Sequence, residues 1–465
     1  MQWFKKLTLT CALCALIQAT GFGISLSNKD GRVIEVELLE IQSAQIKIRL
    51  ANGQAIWYDR ALLSAESQAT IAQQKDAERD QYRAINELLG IPLFNDSQLW
   101  DDTANAVAER LGWRLESKTD SQSSYRTYPK PDYRILSSRP YSAVLYGEND
   151  RAQHLSIVFA NKGDFKFSET PTESEIRAME SAIDDDAKRI ESLLSKTLGS
   201  PDRQQFGAGR GIKQLIERWD WKGHAFLLAS QDGEYVSLKI MTAEAADNKG
   251  RAAKLSDAAL RGLTTENIIT RPNGDVLVGN IPMVNQGPKG YCVPATFERY
   301  LRYMQIPADM YILAMAGQTS VGGGTSLSAI ISSIDGYIAS QSRSMKQERQ
   351  EIKVRNIQKH IDKGLPIIWT LFSTKEYNDI ANQRTKDRRD VTDWEQWTDQ
   401  IKSETRGIEL QKDYTTAHAC MIIGYNKDTN EIAVSDSWGP SYQERWISAE
   451  LAEQVSQGSV YIIGF

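Results

Sequence analysis

Gln286 and Cys292 stand six positions apart in the stretch V-N-Q-G-P-K-G-Y-C-V-P-A-T, residues 284–296. Pro294 falls in the first turn of a predicted helix opened by Cys292, where backbone N–H groups lack intrahelical partners and a proline costs no bond. Phe297, Leu301 and Met304 follow at helical spacing, with Glu298, Arg299 and Arg302 off that stripe. The spacing predicts a partly buried helix with Cys292 at or near its N-terminus. The partial positive charge of such an end favours a thiolate by about 0.3–1 kcal/mol. A free thiol, with a pKa of about 8.5, needs a larger shift to ionise at neutral pH. Thiol chemistry here therefore requires a second cation, normally an imidazolium.

His418 is the candidate. It begins H-A-C-M-I-I-G-Y, an apolar strand ending in a Gly-Tyr turn, whereas His360, the other histidine nearby, sits in a polar helix over 354–363. The next strand, 431–435, runs into Asp436-Ser437-Trp438-Gly439. A carboxylate beside the imidazole would hold its tautomer and stabilise the imidazolium, and Trp438 would shield that bond from water. Cys420 shares a strand face with His418 and reads as a small buried hydrophobe. A disulfide from it to Cys292 is awkward, because strand geometry puts it about 6–7 Å beyond His418.

The elements that position these groups lie in a chain of 465 residues, long enough for roughly three domains at about 150 residues each. Residues 1–21 read as a secretory signal peptide: Lys5-Lys6, an apolar run from Leu7 to Ile17 and a small-residue exit. Its apolar run is too short to span a bilayer. Removing it takes Cys11 and Cys14 away and leaves Cys292 and Cys420, which excludes a disulfide framework and multi-cysteine metal sites. The four histidines are scattered without zinc spacing. Neither a metal nor a cofactor is expected. The net charge of -5, with no Lys/Arg block, gives no reason to expect a nucleic acid partner. The expected location is secreted or periplasmic, with no transmembrane segment beyond the signal.

Residues 22–72 alternate as short strands with an Asn52-Gly53 hairpin signal and read as a small, bent β-barrel. A charged helical connector covers 73–83. Residues 84–242 read as an α+β domain of unknown role, with strands at 142–146, 155–159, 225–229 and 235–240 and a long helix from Thr172 to Leu198 ending at Gly199. Residues 243–272 read as a linker, and 273–465 as the last domain. The overall class is α+β.

N-Q-G-P-K-G-Y-C, H-A-C-M-I-I-G-Y and D-S-W-G, in this order, resemble the three active-site signatures of papain-like cysteine peptidases. The resemblance is greatest to the branch with the bacteriocin-leader-processing peptidases, where Asp commonly replaces Asn in the third motif. It covers 273–465 and implies Cys292 as nucleophile, His418 as general base and acid, Asp436 as the orienting group and Gln286 as oxyanion donor. It departs from cathepsin-like members, which carry structural disulfides and a cysteine where Lys289 and Gly290 stand. It also departs from the leader-processing branch, which usually accompanies a membrane transporter. The order of turns and strands over 22–72 resembles the SH3-like modules of the Sla homology type, which implies a docking unit or a structural appendage.

Gly322, Gly323 and Gly324 offer open backbone that could pair with an extended peptide, or simply form a flexible helix entry. The charged stretch 374–412, with Trp394 and Trp397, reads as a solvated helical excursion or a lid over the cleft. The expected activity is hydrolysis of peptide bonds in a peptide or protein substrate. The same thiol and imidazole would serve a thiol amidase or acyltransferase, and an inactive peptide-binding protein is the alternative outside enzymes.

Overall fold

The computed structural model describes residues 23–465 except 166, 169–171, 208, 232, 252–253 and 321–323. The expected signal peptide over 1–21 lies outside the described residues, as do Gly322 and Gly323. The chain divides into two units, one ending at Ile85 and one running Asn86–Phe465.

In the first unit, β1 (Ile24–Ser27), β2 (Val33–Ile41), β3 (Gln45–Leu50) and β4 (Ala55–Asp59) form an antiparallel sheet in chain order. Gly53 makes the β3–β4 turn at φ +83, a conformation in which a Cβ is costly, and its N–H reaches Leu50 O at 2.8 Å. Leu26, Val36, Ile46, Ile48, Leu63 and Ile71 fill the core. Helix α1 (Ala65–Leu89) runs through the expected connector 73–83.

The second unit starts its regular structure with α2 (Ala104–Leu111), β5 (Arg114–Lys118), β6 (Gln122–Thr127), β7 (Ser142–Glu148) and β8 (Arg151–Asn161). There follow α3 (Glu173–Leu198), β9 (Asp202–Phe206), β10 (Gln214–Trp221), β11 (His224–Gln231) and β12 (Tyr235–Thr242). The eight strands make one sheet in the order β5-β6-β7-β8-β12-β11-β10-β9, and all four strands expected from the sequence are in it. Helix α3 packs across β8, β10, β11 and β12. It starts at a capping box of Thr172 and Glu175 and ends at Gly199, as its sequence signals require.

The segment 243–272, expected as a linker, is built into the fold. It holds α4 (Ala243–Asp247), α5 (Asp257–Glu266) and β13 (Ile268–Thr270). Leu260 of α5 is fully buried in the core of the last part of the chain. Strand β13 pairs with β14 (Asp275–Val278), so the final sheet begins before residue 273. Apolar density is low here because α5 buries only one narrow face.

The last part continues with α6 (Cys292–Tyr303), α7 (Met310–Ala316), α8 (Leu327–Ser340), β15 (Ser344–Arg349), α9 (Val354–Ile361) and β16 (Ile367–Phe372). Then come α10 (Lys375–Asp387), α11 (Trp394–Thr405), β17 (Ala417–Asn426), β18 (Glu431–Ser435), β19 (Arg445–Ser448), α12 (Ala449–Val455) and β20 (Ser456–Gly464). The sheet order is β13-β14-β17-β16-β20-β15, with β18 also on β17 and β19 on β18. Helices α6 and α9 pack against β17. Among the described residues no helix is long and apolar enough to cross a membrane.

Two further expectations are qualified. Helix α6 is buried from Val293 to Tyr303 rather than along one stripe. Its polar face meets the middle sheet: Tyr146 of β7 donates to Glu298 Oε1 at 2.9 Å, and Arg126 of β6 lies 3.9 Å from the same oxygen. Glu298 also pairs with Arg302 at 3.3 Å and accepts Met310 N–H at 2.8 Å. The 374–412 stretch is helical and largely exposed, as a solvated excursion would be, but one face is anchored on the sheet. Arg388 reaches Asp275 at 2.6 Å and Glu431 at 3.2 Å, and Trp397 donates to Glu431 at 3.1 Å. Arg384 and Arg388 are the buried charges of this stretch and most of the others are exposed, a division that composition alone cannot show.

Candidate active site

Cys292 is the first residue of α6, and Tyr291 before it gives that end no side-chain cap. Cys292 is half-buried and its thiol is free, as is that of the fully buried Cys420. Thr296, one turn into the helix, donates to Ala419 O on β17 at 3.2 Å. That bond ties the helix carrying the thiol to the strand carrying His418.

His418 follows the first residue of β17, and Asp436 stands just past β18, whose Ser435 pairs with Met421. The register brings them together: His418 Nε2 donates to Asp436 Oδ1 at 2.9 Å, both groups being buried. With Nε2 so engaged, the other ring nitrogen is the one left for the Cys292 sulfur. Trp438 lies against the imidazole, ring centroids 4.9 Å apart and planes 30° apart. Arg445 of β19 grips Asp436 from behind and reaches Asn378 Oδ1 at 2.9 Å and Asn382 Oδ1 at 3.2 Å on α10.

These contacts set the ionisation of the group. Burial alone would raise the Cys292 thiol, but the hydrogen bond and charge of His418, with backbone bonds to Ala419 and Val293, bring it below the ordinary thiol value. Burial pulls His418 down, yet Asp436 and Cys292 outweigh it and the pKa rises to about 9. Asp436 resists its own burial because Arg445 and His418 hold it below the usual carboxylate range. For Cys420 burial, with the charge of Asp436, outweighs the pull of Arg445 and Arg299 and pushes its thiol well up. The arrangement favours a thiolate–imidazolium pair, which can attack a carbonyl carbon and deliver a proton to a leaving group.

Gln286 lies on the turn leading to Cys292. Its N–H donates to Ser437 O at 2.8 Å, which docks this turn beside Asp436, and its Nε2 reaches Lys289 O at 3.3 Å. The Oε1 atom is buried without a hydrogen-bond partner. Gly324 is exposed, and its N–H reaches Gly290 O at 3.3 Å, so it borders the segment just before Cys292. His360, set aside at the sequence level, lies near Glu348 at 3.3 Å, away from this group.

Several residues of the site carried no mark in the sequence. Arg299 on α6 donates to Pro282 O at 2.9 Å, to Ser435 O at 3.2 Å and to Ser435 Oγ at 2.5 Å. It binds the approach to Gln286 and the approach to Asp436 into one piece. Arg445, Asn378 and Asn382 are the others. An arginine among the charged residues of a β-rich segment has no spacing that separates it from a surface one.

Residues 278–462 match the model of the Peptidase_C39 like family. No curated protein matches the chain. The matched span holds Gln286, Cys292, His418, Asp436 and Trp438, and it supports a papain-like, cysteine-type peptidase acting on peptides.

Proposed function

We propose that the chain is an exported cysteine peptidase that hydrolyses peptide bonds through Cys292, His418 and Asp436, with Gln286 and the Cys292 backbone N–H receiving the oxyanion. The observation that carries this reading is His418 held at 2.9 Å by Asp436 while its pairing with Cys292 lowers the thiol. The thiolate attacks the scissile carbonyl carbon and the π electrons move to oxygen. The tetrahedral adduct collapses as the His418 imidazolium gives its proton to the departing amine, leaving an S-acyl enzyme. His418, now neutral, takes a proton from water, whose oxygen attacks the thioester and expels the thiolate. Losing one oxyanion donor typically costs about 10²–10³ in rate.

Asp at 436, the absence of a cysteine at 289–290 and the Peptidase_C39 like match favour the leader-processing branch over cathepsin-like relatives. The signal-like residues 1–21 favour a secreted or periplasmic site of action. We read the first unit as an SH3-like module that docks on a partner and brings the peptidase to its substrate, and Gly322 to Gly324 as backbone against which an extended peptide lies.

The test is alkylation of the mature protein by iodoacetamide across pH, read by peptide mass spectrometry, beside turnover of a peptide library by the protein and by Cys292→Ala. Rapid alkylation of Cys292 at neutral pH with cleavage lost in the variant is the expected result. A thiol that titrates as a free cysteine, with no peptide cut, removes the enzyme reading. A reactive thiol with no peptide cut moves amide or acyl transfer ahead.

A further inference from the structure

The turn from Gln286 to Tyr291 contains Gly287 and Gly290 and belongs to no helix or strand. Such a turn holds an oxyanion donor in place only if something else removes its freedom. The flanking residues are anchored from the sheet of the middle part of the chain. Asn285 N–H donates to Glu116 Oε1 of β5 at 2.7 Å, and Asn285 O accepts from Tyr128 OH, just past β6, at 2.7 Å. Met283 N–H donates to Ser117 Oγ at 2.9 Å. Glu116 is fixed in turn by Arg126 Nε at 2.6 Å and Ser124 Oγ at 3.0 Å. At the far end, Tyr291 OH reaches Asp164 at 2.8 Å and Asn161 at 3.1 Å.

Gly287 completes the contact. Its φ is +71, and a Cβ there would lie 2.7 Å from Tyr128 Cζ. The Tyr128 ring therefore rests directly on the backbone next to Gln286. From the other side, Ser437 O holds Gln286 N–H.

We infer that Tyr128 and Glu116 are positioning residues for the Gln286 oxyanion donor, so that the region 86–242 is part of the acyl-transfer machinery rather than a separable recruiting module. This rests on the peptidase reading of Gln286 and Cys292 and gives the middle sheet a role that the family match, which starts at residue 278, does not cover. The inference separates two reactions of one thiol. Iodoacetamide is displaced at a tetrahedral carbon: an S–C bond forms, iodide leaves, and no oxyanion arises. With p-nitrophenyl acetate the thiolate adds to the carbonyl, the oxygen carries the charge, and collapse expels p-nitrophenolate to leave S-acetyl cysteine.

The experiment compares both rates in the full mature chain and in Tyr128→Phe and Gly287→Ala, with Cys292→Ala subtracted as background. Tyr128→Phe keeps the ring and removes the hydroxyl that bonds Asn285 O and faces Tyr311, while Gly287→Ala pushes the turn off the ring. Acylation is expected to fall about 10-fold in the first and up to about 10²-fold in the second, with alkylation changed less than about twofold. Equal loss of both rates means the contacts merely support the fold and overturns the inference. So does acylation unchanged in both variants. An unsubstituted protein whose Cys292 reacts with neither reagent fails at the peptidase reading itself, and this inference falls with it.

Discussion

Arg445 donates from Nε and Nη2 to the same oxygen of Asp436, Oδ2, at 3.0 and 2.5 Å, which leaves Oδ1 wholly to His418. Two positive groups, the guanidinium and the imidazolium, thus sit buried on either side of one carboxylate. The remaining arm of Arg445 is occupied by Asn378 and Asn382.

Removing that arginine is expected to be expensive. Breaking a buried pair by deleting one partner costs about 3–5 kcal/mol, because the other charge stays behind. Arg445→Met should lose stability on this scale in urea unfolding, and Arg445→Met with Asp436→Asn should regain much of it without regaining activity. An Arg445→Met protein as stable as the parent would show that the pair does not hold the site.

The thiol and imidazole set a pH window. His418, raised to about 9, stays protonated through neutral pH, and its charge favours ionisation of the Cys292 thiol. Peptide cleavage is expected to hold across neutrality and fall as pH rises through about 9. The stability that protonated His418 contributes is fully present below its unfolded value of about 6.5 and is lost over the same alkaline rise. His418→Asn should return the Cys292 thiol upward and slow its alkylation at neutral pH by roughly 10-fold or more. Alkylation insensitive to that substitution would sink the ion-pair account.

Asp164 behaves in the opposite sense. Burial pushes its carboxyl up to about 7, although Tyr291 and Tyr141 pull the other way, and its Oδ2 has no hydrogen-bond partner. The folded state therefore binds a proton more readily than the unfolded chain, and stability falls as pH rises from the ordinary carboxylate range through about 7. Asp164→Asn keeps an acceptor for Tyr291 without the charge. It should raise the melting temperature at pH 8, by an amount corresponding to about 1–4 kcal/mol, and the gain should vanish near pH 4. A gain that does not depend on pH would contradict this origin.

Glu298 joins the middle sheet to α6. Glu298→Ala strands Tyr146 OH, Met310 N–H and Arg302 in a buried setting and should cost about 3–5 kcal/mol. Hydrogen exchange should show β7, β8 and β17 losing protection together in this variant. Loss confined to one sheet would mean that the two unfold separately.

The sequence made the grouping of Cys292, His418 and Asp436 legible because each member has a local reason to be where it is. Pro294 marks the helix start behind Cys292, and the apolar runs around His418 and before Asp436 mark their strands. Strands β7, β8, β11 and β12 were legible by the same apolar patterning. Strands β5, β6, β9 and β10 were not, because sequences such as Gln122-Ser123-Ser124-Tyr125-Arg126 and Asp202-Arg203-Gln204-Gln205 resemble loops until a sheet supplies their backbone partners. The polar face of α6 was hidden for a related reason. Glu298, Arg299 and Arg302 have the pattern of a solvated face, and only long-range partners such as Arg126, Tyr146 and Ser435 turn them inward.

Because α6 is enclosed from Val293 to Tyr303 and bonded to β17 through Thr296, the Cys292 sulfur has no path along which to withdraw. The border of the thiol on the side from which the chain leads in is the glycine-containing turn 286–291, which ends at the start of α6. A compound made to block this thiol would have to fit against that turn, which Tyr128 and Ser437 hold in place, because the helix behind the sulfur does not yield.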